Sequence, residues 1–160
     1  MKVLRLQVLW ILAFLLSAGA DPFVGTWKLE PHISKFTPGD PSIMVATMQI
    51  ESTGNGLKST ASGADGEGLA NNMTFSCTLD GTPCKVKASV PMRGAAAVDT
   101  ISLQRVDDHT IRATGLKNGK LVYSDHRVVS ADGDTLTVIR NGTTPEGRKY
   151  QSKVVLARSR

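Results

Sequence analysis

The sequence predicts an all-β protein, an antiparallel up-and-down meander of about eight to ten strands closed or nearly closed into a small barrel. Three observations lead there. From Asp21 onward the chain is a succession of short runs rich in Val, Ile, Thr, Leu and Met, separated by glycine-centred turn signals at fairly regular spacing. Several of these runs alternate apolar with polar residues, the mark of strands with one buried face. After Asp21 no stretch holds a convincing helical period. A sandwich would satisfy the same pattern, but a run of hairpins leaves bare sheet edges that curling into a barrel removes, so the barrel is the first reading.

The expected strands are residues 24–29, 43–51, 57–62, 69–79, 84–89, 98–106, 110–117, 120–129, 135–140 and 148–158. Turns between them have a chemical basis. Thr53-Gly54-Asn55-Gly56, Asp65-Gly66, Asp80-Gly81, Asn118-Gly119, Asp132-Gly133 and Asn141-Gly142 all supply residues that tolerate positive φ. The stretch Pro31 to Pro41 holds three prolines and a glycine and is expected to be an irregular connection. Alternation predicts which side chains face inward. Met44, Ala46, Met48 and Ile50 share one face, and Met73, Phe75, Cys77 and Leu79 another. Val86, Ala88 and Val90 oppose Lys85, Lys87 and Ser89, while Tyr150, Ser152, Val154 and Leu156 alternate with Gln151 and Lys153.

The first twenty residues read separately. A basic start with Lys2 and Arg5, an apolar run from Val8 to Leu16 and the small residues Ser17-Ala18-Gly19-Ala20 form the three-part pattern of a secretory signal peptide, with cleavage expected after Ala20. The apolar run is far shorter than the roughly twenty residues of a membrane-spanning helix. Residues 1–20 are therefore expected to be the leader and residues 21–160 one barrel domain, exported to the periplasm or the medium and without stable membrane insertion after cleavage. Oligomeric state and host are not encoded in these patterns.

The 160-residue chain has a formal net charge of +5, and the leader holds two of its basic residues, so the domain is mildly basic. Aromatic residues make up only 5% of the chain, and the basic ones are scattered, which argues against a nucleic-acid partner. Cys77 and Cys84 are the only cysteines, and in an oxidising compartment a pair this close is expected to form a disulfide across a hairpin turning at Asp80-Gly81. A metal or redox role lacks the C-x-x-C spacing and a nearby histidine.

No catalytic constellation is visible. His32, His109 and His126 stand in no metal-ligating or nucleophile-activating spacing. Ser124-Asp125-His126 cannot act as a triad on a strand, because adjacent side chains point to opposite faces. Most acidic residues fall in turns, as turn chemistry explains. No cofactor or metal is expected, and no enzymatic activity. Asn72 and Asn141 head glycosylation sequons that matter only in a eukaryotic host.

If the barrel holds a ligand, the inward candidates for its wall are Met44, Met48, Met73, Phe75, Tyr123, Arg127 and Tyr150. The same residues would equally serve as plain core, the more ordinary role in a barrel of this size. Arg105 and Arg127 stand among apolar and polar alternations where a buried counter-charge for an anionic ligand would sit, although arginine more often faces water.

The segment Asp21-Pro22-Phe23-Val24-Gly25-Thr26-Trp27-Lys28-Leu29, with its Gly25-x-Trp27 core, resembles the first barrel strand of the lipocalin and fatty-acid-binding protein superfamily. Together with Ser34-Lys35-Phe36 it also resembles a group of exported bacterial lipocalin-like proteins. In that superfamily the tryptophan closes one end of the barrel and a basic residue near the end of the last strand packs across its ring. The resemblance implies that Gly25, Trp27 and Arg158 form that closure, by a cation–π contact. The chain departs from the superfamily elsewhere. It has no Thr-Asp-Tyr motif, no C-terminal Arg-x-Tyr, and no room after the first strand for a helical lid. The expectation that follows is an exported lipocalin-like binding protein holding a small apolar or amphipathic ligand inside its barrel. The alternative is a filled barrel acting through its surface as an envelope or protein-interaction module.

Overall fold

The computed structural model describes residues 20–37, 44–64, 70–89, 98–144 and 146–160. They form an all-β structure of eleven strands: β1 (Gly25–Leu29), β2 (Met44–Ser52), β3 (Gly56–Ala64), β4 (Ala70–Thr78), β5 (Asp80–Lys85), β6 (Lys87–Ala88), β7 (Thr100–Asp107), β8 (Thr110–Lys117), β9 (Lys120–Val129), β10 (Thr135–Thr143) and β11 (Lys149–Arg158). All belong to one antiparallel sheet in the order β5-β7-β8-β9-β10-β11-β1-β2-β3-β4-β6, nearly closed into a barrel. The meander is thus the expected one, with the run 84–89 extended to Asp80 and divided into β5 and β6.

The sheet closes through a single segment. Residues 80–85 pair with β7, setting Cys84 opposite Ile101 and Lys85 opposite Thr100. After Val86 the same segment turns to β4, where Lys87 faces Thr74 and Ala88 faces Met73. The two ends of the strand order are therefore one piece of chain that changes partners. The β4–β6 register, carried along, sets Cys77 opposite Cys84, and the two are joined in a disulfide with Cα atoms 5.4 Å apart. The sequence led us to expect a closed hairpin there. Instead β5 gives its backbone ladder to β7, which would otherwise present a bare edge.

Alternation sorts the faces with two exceptions, and one expected turn is a strand. Met48 and Ile50 are buried, but Ala46 is exposed, because a bulge between Val45 and Thr47 inserts one residue and reverses the phase, so Val45 packs against the core. Ala88 is exposed on a two-residue strand, while Val86 packs inward as expected. Asn141-Gly142 is not a turn. Both residues continue β10, and the chain reverses after Thr143. Gly142 lies opposite Tyr150, where a Cβ would stand 2.5 Å from the tyrosine ring, so this glycine provides room for an aromatic. The expected leader, the Asp65-Gly66 turn, the far part of the Pro31 to Pro41 connection and Val90 lie outside the described residues. The near part of that connection runs irregularly beside β11, tied by a Lys35–Lys153 bridge.

Candidate functional site

One end of the barrel is sealed by its own chain. Phe23 and Trp27 are buried at 1% and 0% exposure, and the Trp27 indole Nε1 donates to Phe23 O at 3.0 Å. Arg158, opposite Trp27 in the β1–β11 register, lays its guanidinium 4.2 Å above the Trp27 ring centroid. Its three nitrogens donate to the carbonyls of Gly133, Val24 and Pro22, each at 2.6 Å. Gly25 adopts φ 144° and has no side chain where the Arg158 guanidinium sits. Glycine at position 25, tryptophan at 27 and arginine at 158 are thus coupled physically: the glycine leaves space, the ring supplies a face, and the carbonyls fix the cation. A second cation, Arg105, pairs with Asp21 and lies 5.5 Å from the Phe23 ring centroid.

The other feature is charge inside the barrel. Alternation along β9 turns Tyr123, Asp125, Arg127 and Val129 inward, and all four are buried. Asp125 faces Arg140 across the β9–β10 ladder. Arg140 Nε donates to Asp125 Oδ1 at 2.7 Å and Arg140 Nη2 to Oδ2 at 2.9 Å, a bidentate grip. Arg127 Nη2 donates to the same Oδ2 at 3.0 Å. The Arg140 guanidinium also stacks 3.7 Å from the Tyr123 ring centroid.

Two guanidinium groups share one carboxylate, so the cluster carries a formal charge of +1 in surroundings with little water. Burial opposes the charged form of Asp125, but the field of Arg140, then of Arg127, outweighs it and holds the carboxyl below the ordinary carboxylate range. Burial likewise raises the Tyr123 phenol above its usual value. Arg140 stays protonated, since Asp125 more than offsets its own burial. Arg127 Nε is buried and meets no hydrogen-bond acceptor among the described residues. It borders a cavity of about 40 Å³, whose polar wall is Asp125, Arg127 and Arg140 and whose apolar wall is Val45, Met48, Val138, Val154 and Leu156.

The structure thus brings Met48 and Arg127 to the cavity, with Tyr123 behind Arg140. Phe75 and Met73 pack in or against the apolar core instead, and Tyr150 is buried beside Gly142. Met44 opens β2, but its side chain lies outside the described residues. Arg105 sits at the sealed end, away from the cavity. Sequence reasoning missed Asp125 and Arg140. The signal was the period-two face Tyr123/Asp125/Arg127/Val129, obscured because Asp125 drew attention only through its sequence neighbours Ser124 and His126. His126 is exposed on the opposite face.

Outside, charge is distributed unevenly. Strands β8 to β11 contain a single acidic residue, Asp125, and it points inward. Their outer surface carries exposed Arg112, Lys149 and Lys153, and the β8–β9 turn adds Lys117 and Lys120.

A barrel with one end sealed by an arginine–tryptophan stack and a charged cluster inside is the class that fold and site define. Comparison with models of known protein families finds no match, and comparison with characterised proteins finds none either. Among the described residues no helix is long and apolar enough to cross a membrane, and the Cys77–Cys84 disulfide is compatible with an oxidising compartment.

Proposed function

We propose that this chain is an exported, lipocalin-like binding module rather than an enzyme, and that it holds a small amphipathic molecule with its anionic head at Arg127 and Arg140. The observation that carries the reading is the unpartnered, buried Arg127 Nε beside a cluster of net charge +1. A buried N–H without an acceptor costs about 1–3 kcal/mol, and a carboxylate or similar head group would satisfy it while neutralising the excess charge. The apolar wall formed by Val45, Met48 and Val138 suits the adjoining hydrocarbon. The stacked Gly25, Trp27 and Arg158 support kinship with the lipocalin superfamily. The leader pattern of Met1 to Ala20 and the disulfide support export, with cleavage after Ala20.

A second reading, a filled barrel acting through its surface, is favoured by one observation. The cavity of about 40 Å³ accommodates a head group but is well below the several hundred Å³ of pockets that enclose whole ligands. Native mass spectrometry of protein purified from its host, followed by thermal-shift assays with straight-chain carboxylates and alcohols of equal length, separates the two. Binding inside predicts a co-purifying acid, or stabilisation by carboxylates over alcohols that Arg127→Gln abolishes. A bare protein that no probe stabilises would leave only the surface reading.

A further inference from the structure

The outer surface of β8 to β11 differs from the rest of the barrel. Register places Arg112, His126, Ile139 and Lys153 in one row across the four strands. All but Ile139 are exposed. The uncharged outward residues around them include Ser124, Thr137, Asn141 and Gln151, and the strands themselves turn no carboxylate outward; Asp99, near Lys117, and Glu146, near Arg148, lie in the flanking connections. By contrast, the outward residues of β2 and β3 include Glu51 and Lys58, which pair with each other at 2.9 Å.

One end of this face carries an apolar side chain in an unusual setting. Asn118 and Gly119 both take positive φ, 50° and 75°, which makes the β8–β9 connection a tight hairpin turn, and Asn118 N donates to Asp99 Oδ2 at 2.7 Å. That turn is therefore held in place. It presents Leu121 at 65% exposure, with Lys117 and Lys120 beside it.

We propose that this face docks on an anionic lipid surface, with Leu121 entering the interfacial layer and Lys117, Lys120, Lys149, Lys153 and Arg112 facing the headgroups. Charge complementarity supplies the attraction, since each cation close to an anionic bilayer contributes to binding until salt screens it. The choice of lipid over a soluble polyanion rests on the side chains. Single-stranded nucleic acids are gripped by exposed aromatic platforms, and the only aromatics on these strands, Tyr123 and Tyr150, are buried inside the barrel, while a soluble acidic polysaccharide is held by basic side chains and gives no role to an exposed leucine. A protruding leucine between lysines matches the apolar-plus-basic composition of interfacial anchors. The docking does not depend on any ligand inside the barrel.

The test is sedimentation of the purified protein, its N-terminus established by mass spectrometry, with phosphatidylcholine vesicles with or without phosphatidylglycerol. Parent and variants share that N-terminus. The protein should partition to phosphatidylglycerol vesicles, and less so as salt is raised. Lys117→Gln with Lys120→Gln should weaken partitioning about thirtyfold. Leu121→Ser, which leaves the charge unchanged, should also weaken it, and Lys149→Gln with Lys153→Gln provides a second charge pair away from the turn. Each variant's melting temperature checks that it remains folded. Equal partitioning to both vesicle types, none to either, folded variants that bind like the parent, or capture by soluble polygalacturonate in preference to vesicles would each overturn the proposal.

Discussion

Arg140 holds Asp125 by both carboxylate oxygens, at 2.7 and 2.9 Å, from the neighbouring strand of the same barrel wall. Arg127, two residues along β9, takes what remains of the same carboxylate. Asp125 and Arg127 are buried and the Arg140 side chain is only 17% exposed, so the cluster is stable only as a set.

Removing one member should therefore be costly. Asp125→Asn takes from Arg127 and Arg140 the carboxylate that they share and should lower unfolding free energy by about 3–5 kcal/mol, read from urea denaturation. Replacing all three by apolar residues of similar volume should cost much less than the single change, since no buried charge is then left unpaired. A single change as mild as the triple one would show that water already reaches the cluster.

The pH dependence follows from the same carboxyl. A group whose folded pKa lies below its unfolded value binds fewer protons when folded, so the stability it contributes is fully present above the unfolded pKa and is lost as pH falls through the folded one. For Asp125 that loss begins near the ordinary aspartate pKa of 3.8 and continues below it. Exposed Asp80, lowered to about 2 first by its hydrogen bond from Thr78 and then by Thr82, titrates over a similar window. Stability measured against pH should fall on the acid side of about pH 4, and Asp125→Asn should flatten that slope.

At the sealed end, Arg158→Ala would strip three carbonyls of their donors and uncover Trp27. A loss of about 3 kcal/mol is expected, with a red shift of Trp27 fluorescence as water reaches the ring. Arg158→Lys should fail to restore stability, because an ammonium cannot span the carbonyls of Gly133, Val24 and Pro22 while lying flat on an indole.

The disulfide closes a loop with a sequence separation of 7, for which chain entropy predicts about 2.5 kcal/mol. Replacing both cysteines by alanine should cost that much. Hydrogen exchange should rise first at the amides of Val86 and Ser89, which bond to Asp99 O and Asn72 O on the two sides of the closing segment. If exchange rises evenly over the sheet, the segment is not the weak closure of the barrel.

Strand positions and the meander were legible in the sequence because period-two patterning and turn chemistry are local. The bulge in β2 was not, since nothing in Val45-Ala46-Thr47 marks which residue the neighbouring strand leaves unpaired. Asn141-Gly142 was misleading for a related reason. A strong turn dipeptide was overruled by the Tyr150 ring, whose need for a glycine opposite it arises only after the strands have paired.

By itself the sequence determined the class of structure, the inward face of most strands and the pairing of Cys77 with Cys84, all consequences of residues close together in the chain. Only the tertiary structure decided that segment 80–89 closes the barrel by changing partners, and that Asp125 meets Arg140. These depend on strand register and sheet curvature. A pairing between positions 15 residues apart has no local signature, because it is fixed by the collective packing of the whole wall.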